Sequence, residues 1–134
     1  MMNMNDYNTM YNYYSNMMNN TFANPDEGFI KGNMIANEYE PYKNYGYVIP
    51  IVTNEKEVLL EQIQIYSFAA HDLNLYLDLN PNDKEALALF YKYKRECIKL
   101  TNEYENRYGP INLEDNNLKE SPWAWINEPW PWNE

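Results

Sequence analysis

Two residues of this chain change protonation or react readily near neutral pH, His71 and Cys97, and each type occurs once. A thiol and an imidazole make a nucleophile–base pair when they meet. The periodicities described below put them on different helices. Cys97 falls on an apolar seam, where a small buried thiol packs as a hydrophobe. His71 is followed by Asp72, but adjacent helical residues point about 100° apart and do not pair. Asp72 shares a stripe with Ile65, Ala69 and Tyr76. That position predicts a partly buried carboxylate, bonded either to a neighbour in the chain or to a partner.

Metal and phosphate chemistry find no better footing. Carboxylate-bridged di-iron or di-manganese bundles draw Glu-x-x-His pairs from two helices. Here Phe68 stands three residues before His71, and there is no second histidine. No Cys/His cluster has zinc spacing. Gly28 and Gly32 lead into no Gly-Lys-Ser/Thr that would cradle a phosphate. The carboxylates are scattered over polar faces, so the sequence predicts no catalytic residue, no metal and no cofactor.

The tail from Ser121 to Trp132 is the strongest binding feature. It holds all four tryptophans, Trp123, Trp125, Trp130 and Trp132, interleaved with Pro122, Pro129 and Pro131. Each ring can bury about 150–250 Å², and the prolines reduce the entropy lost on docking. The rings either fold back onto the body of the protein or anchor a protein interface. A glycan-binding module that stacks sugars on them is the alternative.

Helices must position these groups. The first begins at Asn54, which has the N-cap spacing to Glu57. Leu59, Ile63, Tyr66, Ala70, Leu73 and Leu77 recur at spacings of four and three, a seam on one helical face. Ile65, Phe68, Ala69, Leu75 and Tyr76 fall away from that seam, so the helix is apolar nearly all round and must be covered on more than one side. The tail is expected to cover part of the extra face, and another chain the rest. A second helix is predicted from Asn80 as cap and Pro81 at its first position, with Asp83 near the N-terminal dipole. Its seam is Ala86, Phe90, Tyr93, Cys97, Leu100, Tyr104 and Tyr108. Lys92, Arg95, Glu96, Lys99, Glu103 and Asn106 face water, and Gly109-Pro110 stops it. The short connection makes the helices antiparallel neighbours.

Upstream the composition changes. Residues 1–24 are mostly Asn, Met and Tyr, and a segment that buries so little is predicted to be disordered. Such Asn- and Tyr-rich tracts can also self-associate. Residues 25–53 carry Pro25, Gly28, Gly32, Pro41, Gly46 and Pro50, too many breakers for a long helix, and are predicted to be an extended linker that drapes over something. The expected fold is therefore all-α. It comprises an antiparallel two-helix hairpin over 54–134 with a Trp/Pro-rich C-terminal tail, preceded by the linker and the head.

The 134 residues carry 10 basic and 20 acidic side chains, a net charge of −10. That balance argues against nucleic acid, which is bound through clustered Lys and Arg, and against anionic membrane surfaces. No stretch approaches the roughly 18 apolar residues of a membrane span. Lys31 is the first basic residue, so a secretory leader is not expected.

Three stretches resemble the CotJB family of bacterial spore-coat proteins. They are Phe68-Ala69-Ala70-x-Asp72-Leu73-Asn74-Leu75-Tyr76-Leu77-Asp78 with Pro81, Asp83 and Ala86, then Tyr104-Glu105-x-x-Tyr108-Gly109-Pro110, then Trp125-Ile126-x-Glu128-Pro129-Trp130-Pro131-Trp132. Upstream, Glu27-Gly28-Phe29-Ile30-Lys31-Gly32-Asn33-Met34 with Tyr39-Glu40-Pro41-Tyr42 looks like the signature of CotJA, a short coat-associated protein. The resemblance implies a non-catalytic structural subunit of the spore coat, made in the mother-cell cytoplasm. It also implies docking with CotJC, a coat protein similar to manganese catalases, and with other coat components. On this reading the partner-binding residues are Phe68, Asp72, Leu75, Tyr76, Trp123, Trp125, Trp130 and Trp132.

Overall fold

The computed structural model describes residues 21–38, 46, 50–113 and 116–127. Helix α1 spans Pro25–Lys31, α2 Glu55–Leu79 and α3 Lys84–Tyr108, with 3₁₀ turns at Ala36–Glu38, Asn116–Lys119 and Ala124–Asn127. The class is all-α and its centre is the predicted antiparallel hairpin of α2 and α3. Each of these helices has 25 residues, or about 38 Å at 1.5 Å per residue. The predicted disorder of residues 1–20, and Trp130 and Trp132 of the tail, lie outside the described residues.

Both predicted seams are the ones that pack. Leu59, Ile63, Leu100 and Tyr104 form one core cluster, with Cys97 and Tyr108 against it. Ala69, Ala70, Leu73, Ala86 and Tyr93 form the other, toward the hairpin turn, with Phe90 and Leu77 at its margin. Ala86 and Leu73 are fully buried, which lets the helices approach closely where the turn joins them. Burial holds the Tyr93 phenol above its ordinary pKa. The predicted polar face of α3 is exposed or half-buried, with ion pairs of Lys99 to Glu96 at 3.1 Å and Arg107 to Glu103 at 2.7 Å.

The cap of α2 is as the sequence predicts. Asn54 Oδ1 accepts from the Glu57 N–H at 2.9 Å. The reciprocal arm lands one residue earlier than in the usual box: Glu57 accepts from the Thr53 N–H at 2.7 Å and its hydroxyl at 2.8 Å. Those bonds, the backbone one foremost, hold the Glu57 carboxyl below its ordinary pKa.

The start of α3 corrects the sequence reading. Asn80 does not cap it; Asp83 does, accepting from the Ala86 N–H at 3.0 Å. Asn80 ends α2 instead. Its backbone N–H and its side-chain amide both donate to the Tyr76 carbonyl, at 3.0 and 3.1 Å. The physical reason is that Asn80 precedes Pro81, which disfavours helical geometry for it, while Asp83 has free backbone N–H groups ahead of it.

The larger departure is upstream. Residues 21–36 are not a linear drape. Phe22 and Ile35 form an isolated antiparallel bridge, Ala23 N–H donates to Met34 O at 2.7 Å, and Ala36 N–H to Thr21 O at 3.2 Å. Between these two arms lies α1, so the segment is a closed strap. Its breakers sit at helix ends, where they belong: Pro25 opens α1 and Gly32, at φ 73°, closes it in the left-handed conformation. Thr21–Asn24, grouped by composition with the disordered head, form the first arm, with Phe22 and Ala23 buried.

The Asp83 carboxyl sits below its ordinary pKa, chiefly through the Ala86 N–H, with the Tyr76 hydroxyl adding to the effect and burial opposing it. A depressed folded-state pKa stabilises above the unfolded value, about 3.9, and that contribution is lost as pH falls through the lower folded value. In Asp83→Asn, which keeps an uncharged cap acceptor, the loss of helicity below about pH 4 should be shallower than in the parent, as read by circular dichroism. An unchanged acid limb means the Asp83 charge does not couple to folding.

Candidate interaction surfaces

The apolar face of α2 that points away from α3 is where the strap docks. Met34 is wholly buried and, with Phe22, packs into the cluster of Ala69, Leu73 and Tyr93. Its backbone N–H donates to Asp72 Oδ2 at 2.7 Å. Phe22 meets Tyr76 edge-on, with centroids 5.2 Å apart and planes at 88°. Phe29 of α1 meets Phe68 at 6.1 Å and 69°. Within the strap, Lys31 pairs with Glu27 one turn earlier on α1, and Asn33 Oδ1 accepts from the Ile35 N–H at 2.8 Å.

Three of the residues predicted to bind a partner make contacts within the chain. Phe68, Asp72 and Tyr76 are half-buried, and each contacts the chain's own strap. Asp72 makes the predicted bond to a neighbour in the chain. Tyr76 also bonds away from the strap. Its hydroxyl donates to Asp83 Oδ2 at 3.0 Å, which raises its own pKa and ties the end of α2 to the cap of α3. Leu75, by contrast, is 50% exposed. Among the tail tryptophans, Trp123 is 49% exposed and Trp125 half-buried.

The strap socket escaped the sequence reading, although a signal for it exists. Pro25-Asp26-Glu27 followed by Lys31-Gly32 is a complete helix start and stop, with acids in the first turn and a base in the last. Counting the same residues as breakers concealed it. The depth of Met34 had no local signal, because the cluster that buries it is built largely from α2 and α3.

Among the described residues, nothing packs over the opposite side of the hairpin as the strap does. A shallow groove of about 280 Å³ runs between α2 and α3, lined among others by Ala70, His71, Phe90, Lys94, Cys97 and Ile98. The fold therefore brings His71 and Cys97 to one groove, which helix assignment alone did not predict. Cys97 is half-buried rather than enclosed, and its Sγ lies 3.9 Å from the Ile63 carbonyl oxygen. His71 is exposed. Among the described residues, no group of three or more His, Cys, Asp or Glu is placed to hold a metal ion, and no helix is long and apolar enough to cross a membrane.

A methyl group added at Gly28 would lie 2.3 Å from Met34 Sδ, and Met34 has no solvent side to move toward. Overpacking of this kind costs about 1–3 kcal/mol. In Gly28→Ala, hydrogen exchange should accelerate over residues 21–36 while α2 and α3 keep their protection. Equal protection of the strap in both proteins would show that Met34 can repack.

A model of the CotJB protein family matches residues 57–133. No curated protein and no solved structure matches the chain. The matched span begins inside the first turn of α2 and runs through α3 into the tail, so it covers the hairpin and excludes the strap. The CotJA-like stretch from Glu27 to Tyr42 lies outside it. With the match covering more than half of its length, the hairpin and tail place this chain in the CotJB family, a family of spore-coat proteins.

Proposed function

We propose that the chain is a non-catalytic assembly subunit of the spore coat that docks with a manganese-catalase-like coat protein, CotJC, and with other coat components. The observation that carries this reading is the apolar surface at the turn end of the hairpin. Leu75 and Leu79 on α2 are 50% and 84% exposed, and Leu87 and Tyr91 on α3 are 44% and 52% exposed. Large apolar side chains gathered at one end of a small helical protein are what a protein interface needs at its centre. With Phe68, Asp72 and Tyr76 engaged by the strap, the outward contacts are assigned to Leu75, Leu79, Trp123 and Trp125, together with Trp130 and Trp132 of the tail.

Three carboxylates otherwise suited to chemistry have structural duties. Asp72 holds Met34, Asp83 and Glu57 serve helix caps, and His71 and Cys97 share a groove with no carboxylate lining it. Metal and peroxide chemistry would then belong to the partner, with this chain supplying attachment. Coat localisation follows from the family; synthesis in the mother cell and the catalase-like partner are part of the proposal.

Co-expression with the manganese-catalase-like coat protein of the same organism, read by size-exclusion light scattering, tests the reading. The parent should elute as a stable complex. Leu75→Asp/Leu79→Asp and Trp130→Ala/Trp132→Ala should each weaken it at least about tenfold, the effect of losing about 1.4 kcal/mol. A parent that elutes as free monomer beside the partner overturns the docking role. A complex unaffected by either pair overturns the residue assignment.

A further inference from the structure

The strap and its socket have the properties of two separable halves. The strap closes upon itself: Ala23 to Met34, Ala36 to Thr21, Gly28 to Asn24 and Asn33 to Gly28 are all backbone bonds within residues 21–36. It therefore needs nothing from the hairpin to make these bonds. Toward the hairpin it presents a set of side chains and the Met34 N–H group. The socket answers each of them: Asp72 for the Met34 N–H, Phe68 for Phe29, Tyr76 for Phe22, and Ala69 for the Met34 side chain. The match is specific, and a segment of this same sequence supplies it.

The connection between the halves is long. Glu38 and Asn54 are sixteen residues apart, which reach about 50 Å when extended. The distance to be bridged within one molecule runs from the level of Tyr76, whose hydroxyl feels the Glu38 charge, to the start of α2 at Glu55. That is twenty-one helical residues, or about 32 Å. The connection exceeds its intramolecular span about one-and-a-half-fold. Helices of neighbouring molecules pack at about 10 Å, so the spare length is enough to reach the α2 helix of an adjacent copy.

We propose that strap exchange links copies of this chain: residues 21–36 of one molecule dock on the α2 socket formed by Phe68, Ala69, Asp72 and Tyr76 of another. Every contact is the same in the exchanged and the closed forms, so their balance is set by concentration against the effective concentration of the strap within its own molecule, on the order of millimolar for a connection of this length. Closed monomers dominate in dilute solution, and exchange dominates where copies are crowded. Reciprocal exchange gives dimers, and serial exchange gives chains. This inference is independent of the docking role proposed above and involves no other protein.

Two full-length variants test it. Met34→Asp disables the strap and leaves the socket, while Phe68→Asp/Asp72→Lys disables the socket and leaves the strap. By light scattering each alone should remain at monomer mass, and their mixture should form a one-to-one complex of twice that mass. A second experiment does not depend on those variants folding. In full-length Phe29→Cys/Phe68→Cys with Cys97→Ser, oxidation bridges strap to socket wherever they meet. Non-reducing electrophoresis should show monomer after oxidation of dilute protein, with dimers and higher species increasing with concentration. A mixture that stays at monomer mass while both variants are helical overturns the proposal. So does a bridged protein that runs as monomer at every concentration.

Discussion

Helix α2 is apolar over most of its circumference, and the rest of the structure follows from the need to cover it. A helix with one apolar stripe is satisfied by one neighbour; this one needs two. The first is α3, whose seam takes Leu59, Ile63, Ala70 and Leu73. The second is the strap, which reaches the other face through Met34 and Phe22. Ala69 and Leu73, both without exposed surface, lie where the two coverings converge. A hairpin lacking the strap would leave the Ala69 side of that cluster in water, and a strap lacking the hairpin would have nothing to bury Met34.

Carboxylates organise the turn end of this arrangement. Asp72 fixes the strap by accepting from the Met34 N–H, and Asp83 fixes α3 by accepting from the Ala86 N–H. Tyr76 stands between them in function: its ring receives Phe22 and its hydroxyl reaches Asp83. One aromatic residue thus links the strap, the last turns of α2 and the first turn of α3. These polar groups work as acceptors for backbone and phenol donors, which is a structural use of charge. Leu75 and Leu79 on the same helix end have no such role and stay exposed.

For a protein of a coat layer, this division of surface has a physical logic. A small helical hairpin has a thin core, and its stability rests on few buried side chains. The strap occupies one side of α2, and at the turn end Leu75 and Leu79 stay exposed beside the polar contacts of Tyr76 and Asp83. A strap that is held by side chains, and not by continuous backbone pairing to α2, adds a contact that can be made within a molecule or between molecules. The local concentration of copies acts on that choice by mass action.

The hairpin was legible in the sequence because its signals are local and repeat. Spacings of four and three along 59–77 and 86–108 fix which faces meet. An Asn three residues before Glu57 marks a helix start, and Gly109-Pro110 marks a stop. The excess apolar surface of α2 was equally legible, as a demand for a second covering. The identity of that covering was not: the sequence points to the tail and another chain, and the structure puts the chain's own strap there. Met34 and Asp72 are 38 residues apart, and no local pattern pairs them. The same holds for the choice of Asp83 over Asn80 as cap, settled by which residue could leave α2 and which could enter α3. Sequence alone determined the class, the two long helices and the need for cover. Only the tertiary structure decided that the chain covers itself, because burial of Met34 requires a face that exists only once α2 has formed and packed on α3.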